Sequence, residues 1–131
     1  MTSFDPLRTF VQLADGPEAT PIEVTDDFWR TIETRRDLQG GRLVSVYRFV
    51  EDWTSWERHP AGDELVIQLS GSMDFILEQP GGEHCIPLRG RCAVVVPRGV
   101  WHTARVLEPS ETIFITRGTG TEHRPLSRGS G

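Results

Sequence analysis

The stretch Trp56-Glu57-Arg58-His59-Pro60-Ala61-Gly62-Asp63-Glu64-Leu65-Val66-Ile67-Gln68-Leu69-Ser70-Gly71 decides the fold. It opens as an extended run carrying Glu57 and His59, breaks at the Pro60–Asp63 corner, and resumes as an apolar run headed by Glu64. Alternate residues of a strand point to the same side. Glu57 and His59 are therefore expected on one face, with the corner folding Glu64 back toward them. About 40 residues later, Pro97-Arg98-Gly99-Val100-Trp101-His102 sets a second histidine after a Val-rich run. Two imidazoles and one or two carboxylates converging inside a small β-barrel would make a metal site.

Outward from this stretch the chain reads as strands and turns. From Gly40 onward, β-forming runs at Leu43–Val50, Trp56–His59, Glu64–Ser70, Met73–Glu78, His84–Leu88, Cys92–Val96, Trp101–Leu107 and Thr112–Thr116 alternate with Gly- and Pro-rich turns. About eight short strands at 8–12 residue spacing mark a sandwich or barrel. No run of long helical periodicity supports a βαβ fold. Before Gly40, Phe10–Leu13 reads as a lead-in strand among loops. Thr25–Glu33 reads as a short helix, with Thr25 as N-cap, Asp26 and Asp27 at the positive end of the dipole, and Trp29 with Ile32 as an apolar pair. Residues 118–131, rich in Gly, Ser, Thr and Arg, read as a tail whose Thr121–Leu126 part can dock on the barrel. The organisation expected is an N-terminal strand, loop and short helix over 1–39, one β-barrel over 40–117, and the tail over 118–131.

The bulk numbers bound the function. At 131 residues, 37% hydrophobic and 25% charged, the chain fits one globular domain with a real core. A net charge of −5 argues against nucleic acid, which asks for a basic surface. All 14 basic residues are arginines, so chemistry that needs a lysine amine is excluded. Asparagine is absent too, which removes N-glycosylation. No apolar run approaches the ~20 residues of a membrane helix. Met1-Thr2-Ser3-Phe4-Asp5-Pro6 lacks the order of a secretory signal, so no membrane association and a cytoplasmic location are expected. Cys85 and Cys92 have neither redox nor zinc spacing and read as small apolar residues. No nucleophile elbow or phosphate-binding glycine loop occurs.

The motifs now carry a resemblance. The chain resembles the cupin superfamily, small β-barrels of the jelly-roll kind. That family's first motif runs Gly, five residues, His-x-His, three or four residues, Glu, six residues, Gly. Here Glu57-Arg58-His59 takes the His-x-His place, four residues separate His59 from Glu64, and six separate Glu64 from Gly71. The second motif, Pro-x-Gly-x-x-His-x-x-x-Asn, is similar to Pro97-Arg98-Gly99-Val100-Trp101-His102. Glu57 stands where the first histidine would be, no glycine heads the first motif, and Val106 replaces the asparagine. The resemblance implies an all-β, single-domain jelly-roll barrel with a short N-terminal helix, and metal ligands at His59, Glu64 and His102 with Glu57 as a fourth. It also implies a homodimer paired through strand edges.

The chemistry of the side chains points the same way. Two imidazoles and a carboxylate with open positions suit non-haem Fe(II); Mn, Zn and Ni accept the same donors. The alternative is a metal-free polar patch of histidines and glutamates. Burying two glutamates in an apolar interior without a cation is costly, which favours the metal. Strand parity turns Val66 and Gln68 inward from Glu64, and Ala104 and Val106 inward from His102. Trp53 shares parity with Glu57, and Phe75 lies on the apolar face of its strand. Trp53, Gln68, Phe75 and Val106 are thus expected to line a pocket for a small organic ligand. Tyr47 is expected buried with its hydroxyl at the rim, and His123 solvated. The function expected is a metal-dependent enzyme of dioxygenase, isomerase or lyase type, with Glu57 as general base where it does not ligate. The alternative is a non-catalytic module that binds or senses a ligand or metal.

Overall fold

The structure, a computed structural model, describes residues 2–31, 34, 35 and 40–126. The chain is all-β. Strands β1 (Thr9–Leu13), β2 (Ala19–Glu23), β3 (Arg42–Phe49), β4 (Ser55–Arg58), β5 (Glu64–Gln79), β6 (Gly82–Arg89), β7 (Cys92–Val96), β8 (His102–Thr116) and β9 (Glu122–Pro125) surround one turn of helix, α1 (Phe28–Thr31). All pairings are antiparallel.

Two long strands define the architecture. The first halves of β5 and the second halves of β8 pair in one layer, which continues from β8 through β3 and β1 to β2 and from β5 to β7. The other halves pair in a second layer flanked by β6 and by β4 and β9. Sequence reading divided each of these strands in two, at Gly71-Ser72 and at Glu108–Glu111. Both in fact run through. Register shifts between Gln68, Ser70, Ser72 and Met73 bend the pair without ending it. Gly71 takes φ 97°, open to glycine and strained for other residues. Ser110 Oγ accepts the Ser72 N–H at 3.0 Å and donates to Glu108 O at 2.8 Å, filling bonds that the bend removes from the ladder.

The sheet does not close into the expected barrel. Among the described residues β2 pairs only with β1, β9 only with β4, and β6 and β7 only with β5. Each layer therefore ends in free edges, and the result is a jelly-roll-like sandwich open at one end. Its filling is Val66, Met73, Phe75, Leu77, Leu88, Val96, Ala104 and Phe114. A smaller cluster of Phe10, Ile22 and Phe28 seats α1 against β1 and β2.

Four further expectations are adjusted. The helix is shorter than Thr25–Glu33, and Ile32 and Glu33 lie outside the described residues. β2 forms in a stretch read as loop; Pro21, which lacks an N–H, is accommodated because β2 is an edge. Part of the segment read as a tail is strand β9; residues 127–131 lie outside the described residues. Both cysteines are free, but Cys85 is exposed rather than apolar filling. No helix among the described residues is long and apolar enough to cross a membrane.

Candidate metal centre

Four side chains meet at the open end of the sandwich. On β4, alternation buries Trp56 on one face and turns Glu57 to the other, opposite His102 of β8 and His123 of β9. His59 follows two residues later on the Glu57 side. The Pro60–Asp63 corner then delivers Glu64 to the start of β5. The Pro97–Gly99 corner is clamped onto this turn: Gly99 N–H donates to His59 O at 3.0 Å, and Arg98 N–H to Asp63 Oδ1 at 2.8 Å. Gly99 adopts φ 76°, which lets the corner turn sharply before His102 opens β8.

One donor atom from each of Glu57, His59, Glu64 and His102 lies within 4.8 Å of the others. His59 Nε2 is 3.0 Å from Glu57 Oε1 and 3.1 Å from Glu64 Oε2. His102 Nε2 is 3.2 Å from Glu64 Oε1 and 3.5 Å from Glu57 Oε1. A centre with bonds of about 2.0–2.2 Å places adjacent ligand atoms about 3.0–3.5 Å apart, in octahedral or tetrahedral arrangement. The four histidine–carboxylate separations fall at that spacing. The donor set is nitrogen and carboxylate oxygen without thiolate, suited to Fe, Mn, Zn or Ni.

Two atoms sharpen the fit. Glu64 Oε1 and His102 Nε2 are buried and have no hydrogen-bond partner, although they face each other at 3.2 Å. Their charges attract, but burial without a well-aligned hydrogen bond is costly. A cation between them would satisfy both at once. The other ends of the ligands are anchored. Thr116 Oγ1 donates to Glu64 Oε2 at 2.5 Å, His102 Nδ1 faces Val100 O at 3.0 Å, and His59 Nδ1 faces Thr121 Oγ1 at 2.8 Å. Phe75 stacks beneath His102 at 6.1 Å and 16°, and Trp53 lies 6.0 Å from it.

Charges in the cluster hold one another in place. Burial pulls both imidazoles toward neutrality, but the Glu57 and Glu64 carboxylates outweigh it, raising His59 to about 9 and His102 to about 10. Burial also pushes the carboxyls up. Against it, His102, His123 and His59 hold Glu57 well below the usual carboxylate range, and His102 with His59 lowers Glu64.

A cleft of about 1000 Å³ reaches this cluster, and Glu57, His59 and Glu64 lie in its wall. Of the expected pocket residues, Trp53 lines it and Gln68, Phe75 and Val106 do not. Gln68 is sealed at the far end of the sandwich, where Nε2 reaches the carbonyls of Gly71, Leu88 and Gly90 at 3.1, 3.2 and 2.7 Å. Its amide thus secures the β5 bend instead of facing a ligand. Phe75 packs in the core, and Val106 N–H donates to Asp52 Oδ1 at 2.7 Å. Tyr47 is half-buried in the cleft wall, and burial, with Glu57 and Glu64 nearby, keeps its phenol protonated.

Sequence reading missed Thr121 and His123. His123 is exposed but not simply solvated: Nε2 lies 3.2 Å from Glu57 Oε2. All of Thr121-Glu122-His123-Arg124 is polar, so no local apolar period marked the strand. Glu122 and Arg124 face outward, pairing with Arg58 at 3.0 Å and Glu78 at 2.6 Å, with Arg58 and Arg124 each 4.7 Å from the Trp101 ring. That outer clamp turns Thr121 and His123 inward to the cluster.

No protein-family model matches the sequence, and no curated protein sequence matches it significantly. Solved structures do resemble it. Peruvianin-I, a cysteine peptidase from Thevetia peruviana latex, is 13% identical with a TM-score of 0.56 over 66% of this chain and 58% of its own. Vicilin from Solanum lycopersicum (tomato) is 16% identical with a TM-score of 0.54, over 70% of this chain and 26% of its own. Oxalate oxidase in complex with the substrate analogue glycolate is 14% identical, TM-score 0.53, over 62% of this chain and 45% of its own. The chain thus spans roughly a quarter to three-fifths of these proteins. Likeness at such identities reports architecture, and names as different as peptidase and oxidase show how little it says of chemistry. With its bent strand pair, its open sandwich and these neighbours, the chain has the cupin fold.

Proposed function

We propose that Glu57, His59, Glu64 and His102 hold a divalent metal ion and that the chain is a metal-dependent enzyme acting on a small organic substrate in the adjoining cleft. The observation that carries this reading is the buried pair Glu64 Oε1 and His102 Nε2, 3.2 Å apart yet outside hydrogen-bond geometry, set at ligand spacing beside two further donors. A bound divalent ion would supply Lewis acidity toward a substrate oxygen or, as iron, reactivity toward dioxygen, which fits dioxygenase, isomerase or lyase chemistry. The protein's own part is to position and to exclude water. Glu64 and His102 are sealed on the inner side, and Phe75 and Trp53 fix the His102 ring. Glu57 is the most exposed of the four and borders the cleft, so with His59, Glu64 and His102 holding the ion and Glu57 off it, Glu57 is our candidate to accept a proton from a bound substrate. Its depressed pKa keeps it ionised at neutral pH, ready as an acceptor but weakly basic.

A second reading, a non-catalytic module that binds or senses a ligand, is favoured by one feature. Two imidazoliums and two carboxylates neutralise one another without a metal, and Glu57 gains His123 as a third partner. Metal analysis of untagged protein separates the two. About one equivalent of transition metal in the wild type, falling sharply in both His59→Ala and His102→Ala, supports the metal centre. Full stoichiometric metal in both variants would overturn the ligand set.

We further propose a cytoplasmic homodimer joined through one of the open strand edges, since an uncovered edge invites pairing. Sedimentation at micromolar concentration should give twice the 14.8 kDa chain mass; a monomer alone contradicts it.

A further inference from the structure

The wall of the cleft is lopsided in two ways. One side is a run of rings. Trp29 of α1 stacks on Tyr47 at 6.0 Å and 26°, Tyr47 on Phe49 at 5.5 Å and 18°, and Phe49 lies 5.7 Å from Trp53. Phe114 closes the run, 5.6 Å from Tyr47 and 6.0 Å from Trp53. All five line the cleft. The second asymmetry is charge. Among the described residues, the ionisable side chains in the wall other than Tyr47, His59 and His123 are all carboxylates: Glu51, Asp52, Glu57 and Glu64. No arginine among the described residues lines it, in a chain whose 14 basic residues are all arginines.

We infer that the cleft takes a planar ring compound carrying a positive charge or none, and turns away small carboxylate anions such as the glycolate bound by oxalate oxidase. The faces of aromatic rings are electron-rich, so they stack on neutral rings and attract cations within about 6 Å. A carboxylate guest asks for the opposite, a guanidinium fork or a cluster of free donors. Within the cluster, Glu57 and Glu64 lie against His59 and His102 at 3.0–3.5 Å and are taken up by them or by a divalent ion. Glu51 and Asp52 therefore set the sign of the wall beyond it. Both are exposed, and Asp52 is held by the Val106 N–H. The protonated Tyr47 hydroxyl adds a neutral hydrogen-bonding group suited to a phenol or an amine. A volume of about 1000 Å³ leaves room for a ring with substituents.

This inference rests on the cleft being the substrate site proposed above, yet its test does not require the metal. Calorimetric titration of the full-length, metal-free protein at neutral pH with tyramine, phenol, benzoate and oxalate compares a cationic ring, a neutral ring, an anionic ring and an anion without a ring. Tyramine and phenol should bind saturably and at least tenfold more tightly than benzoate, with oxalate showing no binding. Benzoate or oxalate binding as tightly as tyramine overturns the inference, as does failure of both tyramine and phenol to bind. Two exposed positions supply the variants. Glu51→Gln should narrow the tyramine-to-benzoate ratio at least threefold without changing phenol. Trp29→Ala should weaken tyramine and phenol together. An unchanged ratio in the first, or unchanged binding in the second, counts against the assignment. Zinc titration of the same preparation scores the metal centre separately, so either idea can fail alone.

Discussion

The two nitrogens of His59 have different surroundings, and the hydroxyl of Thr121 distinguishes them. Thr121 Oγ1 donates its single proton to Gly118 O at 2.8 Å. Toward His59 Nδ1, also at 2.8 Å, it can therefore only accept, so Nδ1 carries the hydrogen. That leaves the Nε2 lone pair of the neutral ring aimed at Glu57 and Glu64. His102 is fixed in the same sense by the Val100 carbonyl, an obligate acceptor. Partners of this kind orient metal-binding imidazoles, and their loss typically costs 10- to 100-fold in affinity. Thr121→Val should accordingly weaken zinc or cobalt binding about tenfold, while Thr121→Ser keeps it within about twofold. Competition with a chromophoric chelator reads both. Equal affinity in the valine variant would show that His59 needs no such support. The four cluster residues were legible because a strand of period two and a short corner are local features. Thr121 was not, because nothing near it in the chain reveals that it lies beside residue 59.

At the scale of the element, β5 shows where local pattern stops being informative. Gly71-Ser72 in an apolar run reads equally as a turn between two strands or a bend within one. The choice is made by Ser110, 38 residues further on, which takes the Ser72 N–H and keeps the strand going. Gly71 is correspondingly constrained. A Cβ there would lie 2.3 Å from both Pro109 O and Ser110 Oγ, and φ 97° is strained for any other residue. Neither the backbone carbonyl nor the tightly bonded serine can move aside cheaply. Gly71→Ala should destabilise the fold by more than about 2 kcal/mol, beyond the usual effect of a surface substitution. Urea unfolding monitored by tryptophan fluorescence measures it. A loss below about 0.5 kcal/mol would mean that the bend is more plastic than its contacts indicate. The short strand β9 illustrates the same limit. Its four residues carry no apolar period, and its place is fixed by the distant partners Arg58, Glu78 and Trp101.

For the molecule as a whole, sequence conveyed the class of fold but not its closure. Alternation and turn spacing specify many antiparallel strands, whereas closure depends on whether the last strands find each other, and among the described residues four edges stay unpaired. The open end is what gives the cluster access to the cleft, and it joins the charge state of four residues to the stability of the entire sandwich. In the metal-free protein His59 and His102 rise from an ordinary 6.5 to about 9 and about 10. The folded state thus binds protons more tightly than the unfolded chain, a stabilisation complete below pH 6.5 and lost as pH climbs through 9 to 10. Glu57 and Glu64 are lowered from 4.5, so their contribution is present above that pH and is lost as pH falls below it. Metal-free protein should be most stable between about pH 5 and 6.5, its Tm declining steadily on the alkaline side. A bound divalent cation replaces the two imidazolium charges, so saturating zinc should release up to two protons near pH 7 and flatten that alkaline decline. Thermal melts from pH 5 to 10 with and without zinc, together with calorimetry in buffers of different ionisation enthalpy, check both effects. Were the alkaline decline just as steep with zinc present, the cation would not be sitting among these four side chains, because only a placement elsewhere leaves their protons untouched.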